Sequence, residues 1–168
     1  MASGPLDGIR VLEFTQIIAG PLGCQFLADL GAEVIKIEPP TGEPWRLAAQ
    51  FIPLESKTFI GLNRGKKSLA INLANDKSKE AIHRLVKDID VVVINYRPDV
   101  AKRLGIDYET LSQIKPDIIY LDNTAWGREG HLADRPGYDI VVQAFSGCLL
   151  YTSPSPRDLS TSRMPSSA

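Results

Sequence analysis

The sequence is poor in the residues that build disulfide frameworks and metal centres. It has two cysteines, Cys24 and Cys148, and two histidines, His83 and His131, spread along 168 residues. A disulfide scaffold or a cysteine-rich zinc site needs more cysteines at closer spacing, so both are excluded and we expect no metal cofactor. So few cysteines are typical of a reducing compartment.

The sequence also lacks long apolar runs and an excess of one charge. No segment approaches the length that crosses a bilayer, and no signal-peptide pattern opens the chain, so we expect a cytoplasmic protein with no membrane partner. Nineteen Lys and Arg residues oppose 20 Asp and Glu residues, for a net charge of −1, so we expect no nucleic-acid partner. The 43% hydrophobic content is that of a globular domain.

Several catalytic motifs are missing from the sequence. It has no G-x-S-x-G elbow, no H-E-x-x-H and no G-x-x-x-x-G-K-[ST], which argues against a triad hydrolase, a zincin and a P-loop enzyme. The stretch Ile18–Gly23 contains Gly20 and Gly23 but not the third glycine of a dinucleotide fingerprint. A hydride-transfer function is therefore disfavoured.

The composition changes at residue 148. Ser, Thr and Pro make up 11 of the last 21 residues, too polar a segment to offset its ordering entropy by burial, so we predict a disordered tail over 148–168. A natural linker is one interpretation. The other, which we favour, is that Cys148 to Asp158 and Ser162 to Ala168 resemble the translation of a sequencing-library adapter. On that interpretation residues 1–147 are the amino-terminal piece of a longer protein, a partial α/β domain.

The remaining pattern alternates strands and helices. Gly8–Phe14 predicts a buried strand, Leu22–Leu30 a helix ended by Gly31, and Ala32–Glu38 a second strand stopped by Pro39. This β-α-β spacing suits a right-handed crossover between parallel strands and predicts an α/β fold with a Rossmann-like, doubly wound parallel sheet. The further predicted strands are 68–73, 91–94 and 118–121, and the further predicted helices are 76–87, 98–104, 108–114 and 139–146.

Ligands of parallel sheets bind at the carboxyl ends of the strands, so the residues after each strand are the informative ones. Ile18 to Pro21 combines a glycine with a helix start, which is either an anion site or only a tight turn. Asn95-Tyr96-Arg97 offers an amide, an aromatic ring and a guanidinium for adenine and phosphate. Arg103, on the next helix, reaches the same crevice or faces water.

Two other polar stretches remain open on the residues alone. Asn63-Arg64-Gly65-Lys66-Lys67 is a phosphate site or, by default, a solvated basic turn. Arg135-Pro136-Gly137-Tyr138 joins a cation and an aromatic ring ahead of a helix, where Asp139 is a candidate capping residue.

In this order, the stretches AGPLGCQFLADLGAEVIKIE, NRGKKSLAINL, NYRPDVAKRLG and RPGYDIVVQAFSG resemble the amino-terminal region of the class III CoA-transferase family. That family includes formyl-CoA, carnitine and bile-acid CoA-transferases and acyl-CoA racemases. The resemblance implies the amino-terminal part of a large α/β domain that binds coenzyme A, in a protein that forms an interlocked homodimer and acts on an acyl-CoA and a carboxylic acid.

The resemblance also implies which residues bind coenzyme A. Ile18 and Ala19 would line its thiol end, and Arg103 a phosphate. Pro39 departs from the arginine that relatives often carry for a phosphate, and Arg64, Lys66 or Lys67 are candidates to replace it. The adenine, the ribose and the rest of the coenzyme would be bordered by Ile71, Asn72, Leu73, Ala74, Asn95, Tyr96, Arg97, Arg135, Pro136, Gly137 and Tyr138.

The family's chemistry, as the resemblance implies, starts with an aspartate that attacks the acyl-CoA carbonyl. That aspartate is expected beyond Gly147, so this chain by itself would be inactive. Racemases of the family carry a histidine at the position of Tyr138, which favours a transferase over a racemase. A nucleotide-binding α/β module without catalysis is the remaining alternative.

Overall fold

The fold is described from a computed structural model that covers residues 4–48, 50–52 and 55–147. The predicted tail over 148–168 lies outside these residues. The elements in chain order are β1 (Arg10–Phe14), α1 (Ala19–Asp29), β2 (Glu33–Glu38), a 3-10 turn (Pro44–Arg46), β3 (Gln50–Ile52), β4 (Glu55–Ser56), α2 (Lys57–Asn63), β5 (Lys67–Ala70), α3 (Asp76–Val86), β6 (Val91–Ile94), α4 (Pro98–Leu104), α5 (Tyr108–Ile114), β7 (Ile119–Asp122) and α6 (Asp139–Phe145).

Five strands form one parallel sheet in the order β5-β2-β1-β6-β7. Numbered among themselves, these strands run 3-2-1-4-5, as in a doubly wound sheet. The predicted α/β fold with a parallel sheet is therefore confirmed. β3 and β4 form a separate antiparallel pair that the sequence did not predict.

The sheet buries both of its faces, which is why its inner strands are apolar. Leu12 and Phe14 of β1 pack with Ile82 and Val86 of α3 and with Leu111 of α5. On the opposite face, Val11 packs with Val34, Val93 and Cys24 of α1. Successive strand residues point to opposite faces, so Glu13 of β1 and Lys36 of β2 lie on the face that α1 covers.

Several predicted boundaries move. Helix α1 begins at Ala19 rather than Leu22, because Pro21 is tolerated in the first helical turn. The strand predicted over 68–73 covers Lys67–Ala70, and all four of its residues are exposed at the edge of the sheet. Leu22 and Phe26 of helix α1, and Leu30 at its C-cap, are exposed and follow one another at intervals of one helical turn.

The chain divides into two compact units, at residues 124 and 125. The first contains the whole sheet, and the second contains α6. Among the described residues, no helix has both the length and the apolar character to cross a bilayer.

Candidate functional site

Three groups of predicted site residues meet at one edge of the sheet. Strands β5, β1 and β6 are parallel, so their carboxyl ends lie on the same edge. Ile18 and Ala19 follow β1, residues 71–74 follow β5, and residues 95–97 follow β6. We call this edge the carboxyl edge. The fold therefore brings together residues that are widely separated in the sequence.

Residues 15–18, which we call the β1–α1 turn, present exposed side chains at this edge. Ile18 is 45% exposed, and Ala19, the first residue of α1, is exposed as well. Gly20 allows α1 to start close to β1: a Cβ at this position would lie 2.5 Å from Cβ of Thr15. The turn also contains a strained residue, because Ile17 has a φ of 72°. A β-branched residue rarely adopts this conformation.

Asn95 ties the end of β6 to the β1–α1 turn. Its Oδ1 accepts a hydrogen bond from the amide of Gln16 at 3.1 Å, and its Nδ2 donates to the carbonyl of Gln16 at 2.9 Å. The polar end of Asn95 is thus engaged with the protein backbone. Asn95 therefore holds the β1–α1 turn in place.

The two residues after Asn95 differ in exposure. Tyr96 is half-buried and packs against the core, and burial raises the pKa of its hydroxyl to about 12, so the group is neutral. Arg97 is exposed and pairs with Asp99 at 3.0 Å. An exposed ion pair of this kind is weak, so the guanidinium can exchange Asp99 for an anionic ligand. Arg103 is exposed on α4 and makes no ion pair with any described residue.

Residues 71–74 continue from β5. Ile71 extends the ladder by donating its amide to the carbonyl of Glu38 at 2.8 Å, and Leu73 is buried in the core. Asn72 and Ala74 are exposed, and the Asn72 side chain accepts a hydrogen bond from the amide of Ala74 at 3.0 Å. This stretch therefore offers backbone and small polar surface to the carboxyl edge.

A buried charge cluster of Glu13, Lys36, Glu43 and Lys66 lies under the β1–α1 turn. The carboxylate of Glu13 binds Nζ of Lys36 at 2.9 Å and Nζ of Lys66 at 2.8 Å, and all three side chains are at most 2% exposed. Nζ of Lys36 lies 3.7 Å from the carboxylate of Glu43. Two carboxylates and two ammonium groups balance in charge, which is what permits their burial.

The charge cluster also bonds to the backbone around the turn. Nζ of Lys36 donates to the carbonyl of Thr15 at 2.8 Å, and Nζ of Lys66 donates to the carbonyl of Pro21 at 2.8 Å. Between them, Oε2 of Glu43 accepts from the amide of Ile17 at 3.2 Å. The charge cluster therefore makes hydrogen bonds to the backbone at three residues: Thr15 and Ile17 in the β1–α1 turn and Pro21 at the start of α1.

Glu43 is itself positioned by a second carboxylate, Glu38. The amide of Glu43 donates to Glu38 Oε2 at 3.2 Å, and Arg46 binds both oxygens of Glu38 at 2.6 and 2.7 Å. The Arg46 guanidinium also stacks 3.8 Å from the ring centroid of Phe59. Burial by itself would raise the pKa of Glu38, but the hydrogen bonds from Arg46 and Ser68 outweigh it and lower that pKa. Burial raises the pKa of Glu43.

The three cations of the basic stretch over 63–67 are all paired with carboxylates. Arg64 pairs with Asp29, Lys67 pairs with Glu33, and Lys66 belongs to the buried charge cluster. The interpretation of this stretch as a solvated turn is therefore wrong for Lys66, whose side chain is 2% exposed. Lys66 instead joins the end of α2 to the start of α1.

The predicted residues 135–138 belong to the second unit. Arg135 and Pro136 line an open cavity of about 420 Å³ together with Trp126, Leu132, Val141 and Phe145. Gly137 packs so closely that a Cβ there would lie 2.3 Å from Cβ of Ala125. Tyr138 is 63% exposed and is the N-cap residue of α6, whereas Asp139 was the predicted candidate for capping. The cavity is thus lined mainly by apolar side chains and by Arg135.

Sequence reasoning missed the buried charge cluster, although a signal was present. Glu13 and Lys36 stand inside stretches that predict buried strands. A charge within a buried strand needs a partner, so it predicts an ion pair. Their strand positions are directly opposite in the parallel register of β1 and β2. Within the part of the chain that the structure describes, no three His, Cys, Asp or Glu residues converge as a metal site requires.

Comparison with known families gives a match to CoA-transferase family III over residues 6–165. The sequence is 41% identical over 150 residues to the acetyl-CoA:oxalate CoA-transferase of Acetobacter aceti, covering 89% of this chain and 39% of that protein. It is 40% identical over 156 residues to the succinyl-CoA:glutarate CoA-transferase of Homo sapiens, covering 92% of this chain and 36% of that protein.

The fold is also similar to solved structures. Rv3272 from Mycobacterium tuberculosis superposes with a TM-score of 0.84 at 42% identity, covering 93% of this chain and 44% of that one. A CAIB/BAIF family protein from Brucella suis superposes with a TM-score of 0.81 at 38% identity, covering 87% and 40%. The chain thus spans less than half the length of each of these four proteins.

Proposed function

The chain belongs to CoA-transferase family III, and from that premise we propose that it supplies the coenzyme A-binding part of an enzyme that moves coenzyme A from an acyl-CoA to a carboxylic acid. The observation that supports this most directly is the carboxyl edge, where exposed Ile18 and Ala19 stand beside Asn95 to Arg97. The relatives named above act on acyl-CoA and carboxylic acid pairs of this kind.

In the proposed binding mode, coenzyme A lies along the carboxyl edge, and each of its parts contacts a different group of residues. Ile18 and Ala19 meet the thiol end, and residues 71–74 and 95–97 border adenine and ribose. Arg97 and Arg103 are exposed cations at the start and the end of α4, which suits the phosphates of the coenzyme. From the family resemblance, residues 135–138 of the second unit are also proposed to contact coenzyme A.

The proposed reaction is covalent catalysis by an aspartate located beyond Gly147. Its carboxylate attacks the acyl-CoA carbonyl, forms a mixed anhydride and releases the coenzyme A thiolate. The thiolate then attacks the aspartyl carbonyl, which frees the donor acid and leaves an aspartyl thioester. The acceptor carboxylate attacks that thioester, and the thiolate released attacks the acceptor acyl group of the new anhydride. The products are the new acyl-CoA and the free aspartate.

We further propose that the complete protein is a homodimer. The exposed side chains of Leu22 and Phe26 on α1 and of Leu30 at its C-cap support a partner surface, since neighbouring exposed apolar side chains mark interaction sites. The molar mass of the complete gene product, measured by light scattering during size-exclusion chromatography, tests this: a strictly monomeric species would refute it.

The binding mode is tested by calorimetric titration of the complete gene product. If Arg103 binds a phosphate, Arg103→Gln weakens coenzyme A binding but not binding of pantetheine, which lacks the nucleotide. Arg84→Gln, an exposed arginine on α3, is the matched control and leaves both affinities unchanged. Equal losses for both ligands would contradict the assignment.

The reaction is tested by mass spectrometry. Incubation of the complete protein with an acyl-CoA is expected to leave a coenzyme A thioester on one aspartate beyond Gly147. The 168-residue chain should form no adduct and show no turnover. Exchange of the acyl α-proton with deuterated water, without any adduct, would instead identify a racemase.

A further inference from the structure

The β1–α1 turn carries backbone strain at the place where the ligand is proposed to bind. Ile17 is the one non-glycine residue with a positive φ among residues 4–48, 50–52 and 55–147. Strain of this kind persists only where surrounding contacts enforce it, and it concentrates at functional sites. Ile17 directly precedes Ile18 and Ala19, whose exposure at the carboxyl edge depends on the conformation of the turn.

The contact made to the amide of Ile17 itself comes from Glu43. Oε2 of Glu43 accepts that hydrogen bond at 3.2 Å, while Asn95 holds the neighbouring Gln16. Because Glu43 is only 3% exposed, it contacts the turn from the interior of the protein. Its own amide is fixed by Glu38, so the carboxylate approaches from a rigid support.

Only one of the two carboxylate oxygens of Glu43 accepts a hydrogen bond from a described residue. Oε1 of Glu43 is buried and has no hydrogen-bond partner among the described residues. An unsatisfied buried oxygen destabilises the fold. Nζ of Lys36 lies 3.7 Å from the other oxygen, Oε2, and is already bound to Glu13 and Thr15. Among the described contacts, what offsets this cost is the hydrogen bond that the other oxygen, Oε2, accepts from the Ile17 amide.

We propose that Glu43 is a positioning residue of the coenzyme A site. By accepting the Ile17 amide, it holds the β1–α1 turn in the strained conformation that presents Ile18 and Ala19 to the thiol end of the ligand. Lys36 and Lys66 hold the two ends of the same backbone segment at Thr15 and Pro21. The inference rests on the proposed coenzyme A site and adds a residue that does not itself touch the ligand.

The test compares Glu43→Ala with Glu43→Gln in the complete gene product. Alanine removes the acceptor for the Ile17 amide and is expected to weaken coenzyme A binding about tenfold, as the loss of one hydrogen bond to a charged group does. Glutamine keeps an oxygen at the same reach, so it should restore most of the affinity. Calorimetry with coenzyme A gives the affinities, and hydrogen exchange of the Ile17 amide reports on the turn directly.

Two control variants separate positioning from general destabilisation. Val86→Ala creates a cavity in the core on the other face of the sheet, and Glu33→Ala removes a paired glutamate at the opposite end of β2. Both should leave coenzyme A affinity within about twofold and the Ile17 amide protected. If Val86→Ala weakens binding as much as Glu43→Ala does, the effect is one of stability and the inference is overturned.

The remaining outcomes are also decisive. If the unsubstituted protein binds coenzyme A and Glu43→Ala binds equally well, this inference fails while the proposed function stands. If the unsubstituted protein does not bind coenzyme A, both fail. Faster exchange of the Ile17 amide together with weaker binding in Glu43→Ala, and recovery of both in Glu43→Gln, supports the inference.

Discussion

Asn95 and Gln16 exchange two hydrogen bonds between the ends of strands β6 and β1, at 3.1 and 2.9 Å. In Asn95→Asp the donor to the Gln16 carbonyl becomes an acceptor, which removes one bond and brings two oxygens together. We expect the free energy of unfolding to fall by about 2 kcal/mol. Urea denaturation followed by circular dichroism measures it. Asn123→Asp makes the same change at an exposed position and should leave the urea midpoint unchanged.

Gly20 and Gly23 of helix α1 should respond oppositely to alanine. At Gly20 the new Cβ would meet the Thr15 side chain at 2.5 Å, so Gly20→Ala displaces the β1–α1 turn and destabilises the chain. At Gly23 nothing lies within 4 Å, so Gly23→Ala should stabilise by up to about 1 kcal/mol through helix propensity. Thermal melting of both variants checks the prediction, and a shift of the same sign for both would contradict it.

Two neighbouring lysines should differ sharply in their contribution to stability. Lys66→Met leaves Glu13 with one cation instead of two inside the protein, and we expect a loss of about 3 kcal/mol. Lys67 is 71% exposed and pairs with Glu33 at the surface, so Lys67→Met should cost less than about 1 kcal/mol. Urea denaturation midpoints of the two variants measure the two losses of stability. Equal midpoints would show that Lys66 is solvated after all.

The stability supplied by Glu38 should depend on pH. Its pKa in the folded chain is lowered below the ordinary 4.5, so ionised Glu38 stabilises the fold above that pH, and the contribution is lost as the pH falls through the lower folded value. Glu38→Gln should therefore cost about 2 kcal/mol at pH 7 and progressively less below pH 4.5. Urea unfolding at pH 7 and pH 3 measures the difference.

The control for this pH dependence is Glu80→Gln on the exposed face of α3. It should unfold at the same urea concentration as the unsubstituted chain at both pH values. A deficit for Glu38→Gln that stays constant between pH 7 and pH 3 would mean that the charge of Glu38 does not contribute.

The thiol of Cys24 should be unreactive in the folded protein. Burial raises its pKa to about 12, so the thiolate that reacts with Ellman's reagent is scarce at pH 8. In a Cys148→Ser background we expect labelling only after unfolding in urea. The control is Glu80→Cys, at an exposed position, in a chain without native cysteines. Ellman's reagent should react with it rapidly without urea. Rapid labelling of Cys24 in the native protein would contradict its burial.

Local patterns in the sequence predict the five strands of the parallel sheet and most of the helices around it, but not β3, β4 or α2. Local signals suffice for this, because apolar runs such as Val91–Ile94 and breakers such as Pro39 act on neighbouring residues. The same reasoning placed Ile18, Ala19 and Asn95 after strand ends, where parallel strands put them on one edge.

Which charges pair inside the protein, and which backbone groups they bind, depends on contacts between distant parts of the chain. Lys66 lies in a stretch typical of a solvated turn, and its burial depends on Glu13, a residue far away in the sequence. The positive φ of Ile17 likewise departs from its intrinsic preference, at a place where Glu43 binds its amide and Asn95 binds the neighbouring Gln16. Ion pairs and enforced backbone strain are set by residues that meet only after folding. A charge inside a predicted buried strand, such as Glu13, indicates that a partner is needed, but the local pattern does not identify Lys66 as that partner.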